Sequence, residues 1–90
     1  PDQIQFKQFI ETNAPALGAL FDWKTREVIS SRVAHYLNYA SSGEEIIARF
    51  LVGVWLGNNR YGFDLLSAAK RLDEKNLNII QKWLNNPIWP

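Results

Sequence analysis

A single histidine, His35, and no cysteine at all limit what reactions this chain could run. An imidazole acting as a general base needs a group to orient it and a nucleophile or acid at a fixed distance. The residues at helical spacing from His35 are Ser31 and Asn38, and no carboxylate is placed to orient the ring. His35 is therefore expected to be a surface or structural histidine. The missing thiols exclude disulfides, cysteine nucleophiles and thiolate zinc sites, and one histidine excludes any two-histidine metal site within the chain.

The carboxylates are Asp2, Glu11, Asp22, Glu27, Glu44, Glu45, Asp64, Asp73 and Glu74. Asp64 and Asp73 each precede an apolar helical run, where a short acidic side chain caps orphaned backbone donors. The two together could hold Mg2+, but such sites usually borrow substrate phosphates. No phosphate loop is present: GxxxxGK[ST] and GxGxxG are absent, and the Gly57 to Gly62 stretch lacks the following Lys-Ser or Lys-Thr. No set of converging acid, base and stabilising groups emerges. The expectation is a protein that is not an enzyme and has no metal and no cofactor.

Binding chemistry is better represented. Lys70, Arg71, Lys75, Asn76, Asn78, Gln81 and Lys82 could form a nucleic-acid face of a helix-turn-helix type, with Asn and Gln suited to adenine edges and Lys to phosphate. Against it stand a turn without the usual glycine and a formal net charge of only +1. Asp73 and Glu74 also put negative charge where a helix N-terminus would otherwise attract phosphate. A solvated polar face accounts for these residues more simply. Trp23, Tyr61 and Trp89 lie in or near loops or the chain end, where a half-wet aromatic side chain favours interfaces. They are the candidate protein-contact residues, with Trp89 either folding back on the core or meeting another chain.

These side chains need elements to position them. Ninety residues make one domain, spanning 1–90. A hydrophobic fraction of 47% with 21% charged residues is that of a globular chain, not a disordered one. No apolar run approaches the ~18 residues of a membrane span. Aromatic residues at 13% offer a small, staple-free domain large buried areas per side chain. The absence of Met and the opening Pro1 give the expectation of a segment from a longer chain. The absence of Cys fits a reducing compartment, so the expected location is cytoplasmic.

Glycine and proline divide the chain into helical blocks. The first covers residues 2–13, with Pro15 as its stop, and a short apolar helical turn covers 16–23. A stripe of Val28, Ile29, Val33, Tyr36, Leu37 and Ala40 predicts a helix over 25–40. Ser42 with Glu45 has the spacing of a capping box. It opens the most apolar helix, carrying Ile46, Ile47, Phe50, Leu51, Val54 and Trp55. A Gly/Asn loop at 57–62 follows, then a short helix capped by Asp64 and a last helix, 74–85, capped by Asp73. No alternating strand pattern is found. The fold expected is all-α, a small single-domain bundle of four to five short helices. Its core is expected to unite Phe50, Leu51, Val54, Trp55, Leu66, Ile80 and Trp83.

From Ser42 onward, four runs carry a resemblance: Ser42-Gly43-Glu44, Ala48-Arg49-Phe50-Leu51-Val52-Gly53, Asn58-Asn59-Arg60-Tyr61-Gly62-Phe63-Asp64-Leu65, and Leu72-Asp73. Together they resemble a family of small uncharacterised bacterial proteins, with a domain of unknown function, often encoded on plasmids and integrated conjugative elements. Phe-Asp-Leu after the Gly/Asn loop is the most specific element. The chain departs from the family where relatives often carry Gly-Gln-Ser-Arg-Arg before the helix; here Glu44 and Glu45 follow Gly43. The resemblance implies a fold and mobile-element company, with no catalytic residues. The expected function is a non-enzymatic accessory or protein-interaction module that meets a protein partner or a second copy of itself. A small DNA-binding protein is the alternative.

Overall fold

The most apolar run of the sequence becomes the central helix. In the computed structural model, which describes residues 2–90, five α-helices form: α1 (Asp2–Asn13), α2 (Ser30–Tyr39), α3 (Ser42–Leu56), α4 (Leu65–Arg71) and α5 (Glu74–Asn85). A 3-10 helix, Pro15–Leu20, follows α1. A two-residue antiparallel ladder, β1 (Phe21–Asp22) with β2 (Glu27–Val28), joins it to α2. The protein is an all-α bundle with a radius of gyration of 12.1 Å, the ~12 Å expected when a chain of this length packs around one core.

Helix α3 buries Ile47, Ala48, Phe50, Leu51, Val52 and Val54. Its start is a capping box one residue earlier than the sequence spacing suggests. The Ser41 hydroxyl accepts the Glu44 backbone N–H at 3.3 Å, and the Glu44 carboxylate accepts the Ser41 N–H at 2.9 Å. Two serines followed by two glutamates fit the box in either register. The second register is ruled out because the Glu45 carboxylate is taken by Arg49, one turn along, at 2.8 Å. Ser42 is therefore the first helical residue and not the cap. The helix ends at Gly57 with φ 70°. The Gly57 N–H reaches the carbonyls of Gly53 and Val54, and the Asn58 N–H reaches Gly53. This closing motif needs a left-handed residue, which glycine supplies without strain. The other two expected caps form: Asp64 accepts Leu66 N–H at 3.0 Å, and Asp73 accepts Asn76 N–H at 2.8 Å.

The helix expected over 25–40 starts only at Ser30, and the turn expected over 16–23 gives way to extended chain at Phe21. Asp22 is the cause. Its carboxylate accepts the backbone N–H groups of Lys24 and Thr25 at 3.0 and 3.1 Å, an arrangement that competes with helix. The chain then turns back through Arg26 at φ 63°, and Phe21 pairs with Val28 and Asp22 with Glu27. Strands of two residues are too short to show alternation, which is why the sequence pattern misses them. What the hairpin achieves is to drive Phe21 into the core, 3% exposed.

Around α3 the core gathers Phe6 and Ile10 of α1, Leu17 and Leu20 of the 3-10 helix, Phe21, Val33 of α2, Ala68 of α4, and Ile79, Ile80 and Trp83 of α5. Of the expected core set, Phe50, Leu51, Val54, Ile80 and Trp83 are buried and Trp55 packs against them half-buried. Leu66 is a correction: it is 80% exposed. The core-facing position of the short α4 belongs to Ala68, fully buried, and Leu66 lies ~200° around the helix from it at ~100° per residue.

Two carboxylates make stability depend on acid pH. The Thr25 backbone N–H, helped by that of Lys24, lowers the Asp22 pKa from its ordinary 3.8. The Ser41 backbone N–H, then its hydroxyl, lowers that of Glu44 from 4.5. A carboxylate with a lowered folded pKa stabilises fully above its ordinary value, and the contribution disappears as pH falls through that value to the folded one. Urea midpoints should therefore decline as pH falls from above 4.5 to below 3.8. In Asp22→Asn and Glu44→Gln the decline should be shallower. A decline of the same steepness in both variants would remove these two groups as its source.

Candidate functional site

Helix α5 leaves α4 after only Leu72 and Asp73, so the two helices do follow each other as a close pair. The side chains proposed to read nucleic acid do not all share one surface. Lys70, Arg71, Lys75, Asn78, Gln81 and Lys82 are exposed, but Asn76 is half-buried. It lies beside Gly43, where an added Cβ would stand 3.4 Å from the Asn76 amide nitrogen. The Lys82 ammonium donates to the Asn13 side-chain oxygen of α1 at 3.1 Å. The outermost line of α5 is Glu74, Asn78, Gln81 and Asn85, an acidic and amide stripe with lysines only on one flank. Phosphate attraction, which supplies most non-specific DNA affinity, needs the cations forward.

The three candidate aromatic contact residues take three different places. Trp23 stacks on Phe21 with centroids 4.9 Å apart and meets Trp55 edge-to-face at 5.7 Å. Tyr61 is half-buried, and its carbonyl accepts an N–H of Arg49. Trp89 packs edge-to-face on Trp83 at 4.9 Å yet stays 58% exposed. The chain reaches that position because Pro87 follows the end of α5 and the Trp83 indole N–H donates to the Ile88 carbonyl at 3.1 Å. Trp89 thus folds back on the core and still leaves an apolar surface in water.

Trp89 borders a groove of about 340 Å³ lined by Phe50, Val54, Phe63, Leu65 and Trp83. The Gly/Asn loop shapes one wall. Asn59 accepts the Phe63 N–H at 2.7 Å and donates to the Phe63 carbonyl at 3.1 Å. Arg49 clamps the same loop to α3, holding Glu45 and the Tyr61 carbonyl together. Leu65, at the rim, is 54% exposed, and the next residue, Leu66, more so. Arg49 was legible only as the later member of an i, i+4 pair with Glu45; its reach to Tyr61 was not.

His35 lies against the Tyr39 ring with centroids 4.8 Å apart and is exposed. No group of three or more His, Asp or Glu side chains comes together as a metal site among the described residues. No helix among them is long and apolar enough to cross a membrane. Comparison with protein-family models, with characterised proteins and with solved structures finds no match to this chain.

Proposed function

We propose that this protein is a non-enzymatic interaction module that binds a protein partner, a second copy of itself included, through the groove bordered by Trp89 and Leu65. The observation that carries this reading is the exposure of Leu65 and Trp89 on an apolar groove, with Leu66, next to Leu65 in the chain, more exposed still. Exposed apolar area that is contiguous, not scattered, marks contact sites on small proteins. An exposed Trp in such a place is the kind of side chain that dominates interface energetics once buried by a partner. The rigid rear wall, built by the Arg49 clamp and the Asn59 bonds, lowers the ordering cost of binding. The resemblance of residues 42–73 to small mobile-element proteins supports an accessory role, and the absence of Cys fits a reducing, cytoplasmic compartment. The amide-rich crest of α5 favours the protein reading over duplex DNA.

Sedimentation equilibrium up to about millimolar protein, and amide NMR titration with peptides selected against the immobilised protein, test this reading. Self-association, or peptide shifts centred on Leu65, Leu66 and Trp89, supports it, provided Leu66→Asp weakens the contact by about tenfold, which is ~1.4 kcal/mol. Leu66→Asp is chosen because Leu66 is 80% exposed and outside the core. A monomer whose selected peptides map elsewhere overturns it.

A further inference from the structure

Distinct from the groove that Trp89 borders, an open cleft of about 430 Å³ lies between the first turns of α1, the hairpin tip, the end of α3 and Pro90. Its size is within the ~300–1,000 Å³ of small-molecule sites. Two indoles, Trp23 and Trp55, stand in its wall at 83° to one another. Among the described lining residues, the side chains of Lys7 and Arg26 supply two cations, that of Asp2 a carboxylate and that of Gln3 an amide, and Pro90 lines the cleft as well. The Lys7 ammonium lies 5.9 Å from the Trp23 ring centroid. Neither cation forms an ion pair among the described residues, where the one ion pair is Arg49 with Glu45.

Arg26 is also the sole non-glycine residue among those described with a positive φ, 63°. A left-handed conformation is strained for an L-residue with a side chain, whose Cβ approaches the following carbonyl oxygen. Glycine would make the hairpin turn without that cost. Strain of this kind collects at functional sites, where the side chain is needed despite it. The side chain here brings the second positive charge to the two indoles.

We propose that this cleft binds a nucleotide: a planar, amino-bearing base against the Trp23 and Trp55 indoles, and its phosphate on Lys7 and Arg26. The chemistry of each part selects this class. Aromatic walls stack any planar ring, because every base has a π-face. Lys7 and Arg26, neither in an ion pair among the described residues, are the groups that attract an anion. Phosphate satisfies both cations, and binding it replaces the weak Lys7–Trp23 contact with charge-assisted hydrogen bonds. Asp2 accepts hydrogen bonds only, so it suits the exocyclic amine of adenine or cytosine. The inference is independent of the protein-contact reading, because it uses none of the groove's residues.

The test is NMR titration of the whole 90-residue chain, following the indole N–H signals, with adenosine monophosphate, a short single-stranded oligo-deoxyadenylate, adenosine and inorganic phosphate. Both phosphorylated nucleotide probes should shift Trp23 and Trp55 before Trp83 and Trp89. Adenosine should bind about tenfold more weakly, ~1.4 kcal/mol. Equal affinity for the monophosphate and the oligomer assigns the site to free nucleotides. About tenfold tighter binding of the oligomer assigns it to single strands, and either result supports the proposal. Arg26→Gly should unfold at the same or higher urea concentration than the parent while binding about tenfold more weakly, and Lys7→Gln should weaken binding without altering the fold. The proposal is overturned by no indole shift at about millimolar nucleotide, by inorganic phosphate alone reproducing the shifts, or by unchanged affinity in both variants.

Discussion

Phe6→Ala is expected to lower unfolding stability by about 3–5 kcal/mol, the usual cost of removing a buried ring. Phe6 is fully buried. Its ring meets Phe21 edge-on at 6.0 Å and Trp55 at 5.7 Å. One side chain therefore joins α1, the hairpin and α3, and the hole left by alanine would be walled by three separate elements. A small domain of ~5–15 kcal/mol total stability has little in reserve. At ~4–8 °C per kcal/mol for a domain of this size, the melting temperature should drop by at least ~12 °C. Leu66→Ala, an aliphatic truncation at an exposed site, should stay within about 0.5 kcal/mol. Urea unfolding of the two variants checks the pair of values. A cost below ~1 kcal/mol for Phe6→Ala would mean that the aromatic junction does not hold these elements together.

Trp83→Ala is expected to cost a similar ~3–5 kcal/mol and to free the last residues of the chain. Trp83 is 5% exposed, meets Phe50 edge-to-face at 5.5 Å, supports Trp89 and donates its indole N–H to Ile88. Trp83→Phe separates the two effects. It keeps an aromatic ring near Phe50 but removes the donor, a loss of about 0.5–1.5 kcal/mol for one hydrogen bond. In that variant the bundle should stay folded while the amides of Ile88 and Trp89 become mobile in heteronuclear relaxation. Peptide binding at the groove should weaken with them. Unchanged relaxation at Ile88 and Trp89 would show that the indole donor does not anchor the tail.

Helix content followed from features that act over a few residues. Three- and four-residue apolar spacing, Asp64 and Asp73 ahead of apolar runs, and Gly57 after one are enough to set the helices 42–56, 65–71 and 74–85 to within a residue or so. Such signals work because helix hydrogen bonds and caps are local. Where two local solutions compete, the sequence is ambiguous. Ser41 and Ser42 both fit the capping box, and Asp22 can bend a chain whose later residues carry a helical stripe. In each case a contact decides: Arg49 takes Glu45, and Phe21 finds the core only through the hairpin.

Surfaces are where tertiary structure had most to add. Leu66 and Leu51 are the same residue type on helices, yet one is 80% exposed and the other fully buried, because Ala68 and not Leu66 fills the core-facing position of α4. Trp89 and Trp23 are both tryptophans outside the helices. The first borders a groove beside Leu65, and the second stands in a cleft with Lys7 and Arg26. Lys7 and Arg26 are separated by 18 intervening residues, and no local pattern relates them. Burial and charge neighbourhood are properties of three-dimensional approach between distant segments. The sequence by itself determined the helices, through hydrogen bonds and apolar periods a few residues long; only the packing of those helices decided which aromatic and charged side chains share a surface.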